Sequence, residues 1–159
     1  MLTTIAIEAP RQPEIEALLE LSADFAQSLY PPESNFLLGI AELERPGVSF
    51  YAARDESGRV QGIGALVPLD GDTAELKRMF VHSGARGRGV AGLLLARIET
   101  DARAGGIREL RLETGPLHEA ALALYRRHGY REIAQFGQYV DEEFSVCFAK
   151  SLEPPDSRP

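Results

Sequence analysis

The residues of this sequence best placed to do chemistry form one run, His82-Ser83-Gly84-Ala85-Arg86-Gly87-Arg88-Gly89-Val90-Ala91-Gly92. Glycine lets a backbone approach a bulky anion, and arginine adds a fixed charge with a planar fork of donors suited to phosphate oxygens. A helix starting inside the run would contribute unpaired N–H groups and the positive end of its dipole. The run therefore reads as a phosphate cradle, against the plainer alternative of a surface loop that starts a helix. A P-loop is excluded, because no Gly-Lys-Ser or Gly-Lys-Thr ending is present. The dinucleotide pattern G-x-G-x-x-G is literally present at Gly87, Gly89 and Gly92, with Glu113 about 20 residues further on, where a ribose-binding acid belongs. Against it, several residues separate Val81 from Gly87, and no further strand and helix repeats follow Glu113.

The elements that must hold this run are legible on either side of it. Residues 74 to 81 alternate as a strand, and residues 89 to 104 carry Val90, Leu93, Leu94, Ile98 and Ala102 on one helical face, ended by Gly105-Gly106. Upstream, a strand is predicted at 3–8. A helix follows, carrying Ile15, Leu18, Leu19, Ser22, Phe25, Ala26 and Leu29 and stopping before Pro31. A second helix is expected over 36–43, then strands at 48–53 and 60–69 joined by the turn Asp55-Glu56-Ser57-Gly58. Asp70-Gly71-Asp72 makes the next hairpin. Downstream lie a strand at 110–112, a helix at 117–128 with Ala121, Leu124 and Tyr125 inward, and a last strand at 144–148. This order predicts an α/β (α+β) fold, a mixed and mainly antiparallel sheet with one strand-helix-strand crossover. A single domain is expected over 1–151, with the proline-rich residues 152–159 as a flexible tail.

Composition narrows the function. The chain has 159 residues and a formal net charge of −7, which argues against nonspecific nucleic-acid binding. Residues 77–111 nevertheless hold eight Lys or Arg against three acids, so a small anion finds a locally basic setting there. No apolar run approaches the roughly 18 residues of a membrane span and the start lacks a signal segment, so a soluble, cytoplasmic protein is expected. Cys147 stands alone and three separated histidines give no metal-ligand spacing, so neither a disulfide nor a metal is expected.

Arg86-Gly87-Arg88-Gly89-Val90-Ala91 resembles the Q/R-x-x-G-x-G/A acyl-CoA diphosphate loop of the GNAT N-acetyltransferase superfamily. Ala121-Leu122-Ala123-Leu124-Tyr125-Arg126-Arg127-His128-Gly129-Tyr130 resembles the A-x-x-L-Y-x-x-x-G-F/Y helix of the same family. The order of elements is similar to GNAT over nearly the whole chain, which implies a central sheet with helices on both faces. It also implies acetyl-CoA as co-substrate, no metal, and acetyl transfer to a primary amine. By resemblance, the backbone of Met79, Phe80 and Val81 pairs with the pantetheine arm. Arg86, Gly87, Arg88, Gly89, Val90 and Ala91 hold the diphosphate, and Tyr125 protonates the departing thiolate. The plainer reading of Tyr125 is an inward aromatic of an amphipathic helix. Where the family often has Asn on the pantetheine arm this sequence has His118, an imidazole whose charge would vary near neutral pH.

An alkylamine with a pKa of about 10 must lose a proton before it attacks, so a carboxylate is needed near the acyl group. Glu75 fits, with strand alternation placing Lys77, Met79 and Val81 on its face; its plainer reading is a surface acid paired with Lys77 or Arg78. The resemblance places the acceptor near 30–36, with Tyr30, Glu33 and Asn35 as binding residues, and near 136–141. Glu33, Asp141, Glu142 and Glu143 would suit a cationic, polyamine-like or amino-acid-like small molecule. A peptide N-terminus or lysine side chain is the other acceptor class. A homodimer is expected only by analogy. Two rival functions stay open: a catalytically silent acyl-CoA sensor of the same fold, and an NAD-dependent oxidoreductase using the literal glycine pattern.

Overall fold

The computed structural model describes residues 2–153. Seven strands, β1 (Thr4–Ile7), β2 (Ser49–Arg54), β3 (Val60–Pro68), β4 (Thr73–Val81), β5 (Glu109–Thr114), β6 (Arg131–Ile133) and β7 (Val146–Ser151), form one sheet in the order β1-β2-β3-β4-β5-β7-β6. Only β4 and β5 pair in parallel, because the crossover between them runs through a helix. Helices α1 (Pro13–Leu29) and α2 (Ile40–Leu43) cover one face; α3 (Val90–Ala104) and α4 (Glu119–Arg127) cover the other. Pro13 opens α1, and Glu14 and Glu16 sit in its first turn where the dipole favours them. Its apolar stripe, Ile15, Leu18 and Leu19, packs with Phe50, Ile63 and Ala65 of the sheet. On the opposite face Leu94, Leu95 and Ile98 meet Leu76, Leu112 and Phe148. None of the described helices is long and apolar enough to cross a membrane.

Two irregularities in β4 shape the site. The parallel pairing runs from Thr73↔Glu109 to Leu76↔Leu112 and then stops. From there β5 continues against β7, with Glu113 opposite Cys147, while β4 runs on to Val81 without β5 beside it. The second irregularity is a bulge. Ile63 pairs with Phe80 and Ala65 with Lys77, so Gly64 faces both Arg78 and Met79. Arg78 takes φ 56°, a left-handed conformation. A Cβ at Gly64 would meet Met79 Sδ at 2.6 Å, so a larger residue opposite the bulge would have to displace the Met79 side chain.

The bulge corrects the expected alternation. Glu75 and Lys77 do share a face, but Met79 and Val81 swing to the opposite core with Leu76, while Arg78 and Phe80 turn toward α1. Other expectations shift for local reasons. The helix expected over 36–43 is confined to Ile40–Leu43, because Gly39 starts it, its N–H held by the Glu42 carboxylate at 3.0 Å. Residues 35–39 belong to no helix or strand. In α3, Leu95 is buried where Leu93 was expected, and Leu93 is exposed. The last strand begins at Val146, and β6, three residues long, is too short to show a period. Leu152 is only 3% exposed and its N–H bonds Arg108 O, so the core reaches one residue into the expected tail; residues 154–159 of that tail lie outside the described residues.

Candidate active site

The parting of β4 from β5 opens a cavity of about 780 Å³, within the range of small-molecule and cofactor sites. Its walls come from the C-terminal half of α1, residues 34–37, the outer half of β4, the glycine turn, residues 113–115 and α4. At one end lie Arg86, Gly87, Gly89, Val90 and Ala91. Gly87 and Gly89 take φ 79° and 77°, and a side chain on either would point into open space. Gly89 caps α3 with no side-chain hydrogen bond, so the first-turn N–H groups face the cavity end without a protein cap. This is a fit for a diphosphate, because the donors, the dipole and the absence of side chains coincide. Arg86 lies between two rings, its guanidinium 5.9 Å from the centre of Phe25 and 5.8 Å from that of Phe80. Arg88 lines a separate, smaller cavity with Asp55 and Gln61.

Met79, Phe80 and Val81 line the middle of the cavity on the stretch of β4 that β5 has left. Tyr125 faces them from α4, with no hydrogen bond to its phenol among the described residues; burial raises its pKa. The edge of Tyr130 packs against its ring at 5.7 Å, and Tyr130 is itself held by a 2.8 Å hydrogen bond to Glu99. His118 also lines the cavity, 4.9 Å from the Phe25 ring. Burial, assisted by the charge of Arg86, lowers its pKa, so the imidazole is neutral at neutral pH rather than switching there.

The carboxylates fall differently from expectation. Glu75 is 6% exposed and does not line the cavity. The Tyr139 hydroxyl donates to its Oε2 at 2.5 Å, and Lys77 Nζ, 3.7 Å from the same oxygen, donates to the Tyr139 hydroxyl at 2.7 Å and to Phe36 O at 2.8 Å. Two carboxylates line the cavity, the exposed Glu119 and the half-buried Glu113, the first residue of β5 beyond its pairing with β4. Ser145 Oγ donates to Glu113 Oε2 at 2.7 Å. Burial raises the Glu113 pKa, against the lowering effects of that hydrogen bond and of Lys77. Sequence reasoning noticed Glu113 only as a ribose ligand. The signal that marks it is position: the carboxyl end of a crossover strand is where α/β sheets place ligands.

Of the expected acceptor residues, Tyr30 and Asn35 line the cavity and Glu33 does not; nor do Asp141, Glu142 and Glu143. Tyr30 bridges two walls, accepting a hydrogen bond from Leu117 N at 2.8 Å. Its phenol lies so close over Gly115 that a Cβ there would come within 2.0 Å of the oxygen.

Residues 15–130 match the acetyltransferase (GNAT) family. The chain belongs to that family. It is 41% identical over 150 residues to the IAA acetyltransferase of Azospirillum brasilense, covering 94% of this chain and 97% of the relative. Among solved structures it is similar to a candidate acyl-CoA N-acyltransferase from Klebsiella pneumoniae, with TM-score 0.81, 32% identity and coverage of 96% and 99%. A GNAT acetyltransferase from Elizabethkingia anophelis with acetyl-CoA bound shares the fold at TM-score 0.68, 19% identity and coverage of 94% and 98%. The protein is thus a GNAT acetyltransferase, and the glycine turn belongs to that fold rather than to a dinucleotide-binding one. Among the described residues no group of His, Cys, Asp and Glu could hold a metal.

Proposed function

We propose that this GNAT protein acetylates the primary amine of a small molecule from acetyl-CoA by direct attack, with Glu113 as base and Tyr125 as acid. One observation carries the reading: a single cavity joins the uncapped α3 N-terminus, Tyr125 and a half-buried carboxylate. Bound acetyl-CoA supplies an electrophilic thioester carbon. The N–H groups of 87–91 with Arg86 would hold its diphosphate, and the β4 edge at Met79, Phe80 and Val81 would pair with its amide-bearing arm. His118, a neutral imidazole on the same wall, can offer that arm one hydrogen bond.

An ammonium acceptor must become an amine before it attacks, and Glu113 Oε is the cavity carboxylate able to take that proton. Its raised pKa makes it a better base than an exposed glutamate. Ser145 fixes one oxygen and leaves the other for the acceptor. The Tyr125 phenol, held by packing and uncommitted, can give its proton to the departing thiolate. Glu75 acts behind this pair as a positioning residue, keeping Tyr139 and Lys77 in place.

The test is release of free thiol from acetyl-CoA across an amine panel, with Glu113→Gln beside the native chain. The expected result is a fall in kcat of about 10²-fold or more, with acetyl-CoA binding retained. A Glu113→Gln enzyme of native rate overturns the assignment of the base. Failure of every amine overturns the transfer reaction itself.

A further inference from the structure

We infer that the acceptor is a monoamine with a flat apolar body, an arylalkylamine in chemical class, and not a polyamine. The inference rests on the N-acetyltransferase reading above and deepens it. Beyond the parting of β4 and β5 the cavity wall carries three rings, with Ser34, Asn35 and Lys77 beside them. Tyr30 and Phe144 pack at 5.6 Å, tilted by 49°, and Phe36 stands beside them, its own ring edge-on to Tyr139 at 5.2 Å. Leu37 and Leu117, both exposed, extend this apolar surface to the rim.

Charge on the same wall is sparse, and apart from Arg78 Nε, which like Asn35 Nδ2 is buried without a partner, it is committed. The Arg78 guanidinium turns into the fold and donates to Leu38 O at 2.5 Å and Leu19 O at 2.9 Å. The Lys77 ammonium is taken up by Phe36 O, Tyr139 and Glu75. Glu113 is therefore the one carboxylate among these rings; Glu119 lies exposed at the start of α4. One ammonium can be matched at the half-buried Glu113, whereas a second would meet only the exposed, water-screened Glu119. Two rings bordering this wall already carry a cation. Lys77 stands 5.3 Å from the Tyr139 centroid and Arg86 5.9 Å from that of Phe25, so another positive charge would meet like charge there. An aryl group placed against Tyr30, Phe36 and Phe144 instead removes apolar surface of ligand and wall alike from water, the arrangement by which apolar area and ring contacts discriminate ligands.

The experiment compares 2-phenylethylamine, propylamine, 1,4-diaminobutane and spermidine as acceptors for the full chain, by thiol release with acetyl-CoA saturating. The expected result is kcat/KM for 2-phenylethylamine at least about tenfold above each of the others, the scale set by apolar pockets. Phe144→Ala should narrow the ratio of 2-phenylethylamine to propylamine, mainly through a higher KM for the aryl substrate. Equal rates across the panel, or a diamine or spermidine in first place, overturn the inference while leaving acetyl transfer intact. Thermal stabilisation by acetyl-CoA with no thiol released from any amine overturns the underlying reading as well.

Discussion

Glu113 and Glu75 show how little separates a base from a support. Both are glutamates near Lys77, yet one lines the cavity and the other is closed off beneath a phenol. If Glu113 takes the proton, it must be ionised to work, and its pKa is raised. The kcat profile should therefore climb with pH through a midpoint above the ordinary glutamate range, and Glu113→Gln should erase that limb as well as lower the rate. Glu75→Gln removes the counter-charge of a buried lysine, so its main effect is on stability, about 2–3 kcal/mol lost in urea denaturation. Its rate should fall less than that of Glu113→Gln; the reverse order would make Glu75 the base. Tyr125→Phe keeps the ring packing and removes only the phenolic proton, so kcat should drop about 10- to 100-fold with acetyl-CoA affinity unchanged, as measured by single-turnover and binding assays. At this scale the sequence was only partly readable. The two motifs marked the glycine turn and Tyr125, while the choice between carboxylates depended on which one the chain would bury.

Among elements, β4 controls the most. Its alternation is plain in the sequence, but the bulge is not, because nothing in Lys77-Arg78-Met79 marks the extra residue. The clue lies across the strand, in Gly64, where a Cβ would press on the Met79 side chain. The helix expected over 36–43 failed for a similar reason: its apolar residues divide between a cavity and a core rather than sharing one helical face. Lys77 and Arg78 of β4 hold the segment at Phe36 O and Leu38 O, while Tyr30, at the end of α1, ties that end to the facing wall at Leu117 and Gly115. Gly115→Ala should push Tyr30 off its seat, destabilise the fold by about 1–3 kcal/mol and raise the acceptor KM. Tyr30→Phe loses only the Leu117 hydrogen bond and should cost about 1 kcal/mol. Steady-state kinetics on the two variants check the order.

For the whole molecule, sheet class and the single parallel crossover followed from the order of strands, helices and turns, which local periodicity encodes well. The short strand β6 and the parting of β4 from β5 are long-range outcomes, fixed by how β5 pairs with β7. Acetyl-CoA at 100 times its dissociation constant should stabilise the chain by about 2.7 kcal/mol in thermal denaturation, and NADH should not. The cavity walls have a further consequence. They come from residues 22–37, then 76–92, then 113–144, so the opening and closing thirds of the chain must meet before the site exists. During synthesis, a ribosome-bound chain that has emerged only to residue 110 carries the glycine turn yet lacks Glu113, Tyr125 and the strand that pulls β5 away. The nascent enzyme is inert until residues 113–144 have emerged and β7 has paired with β5.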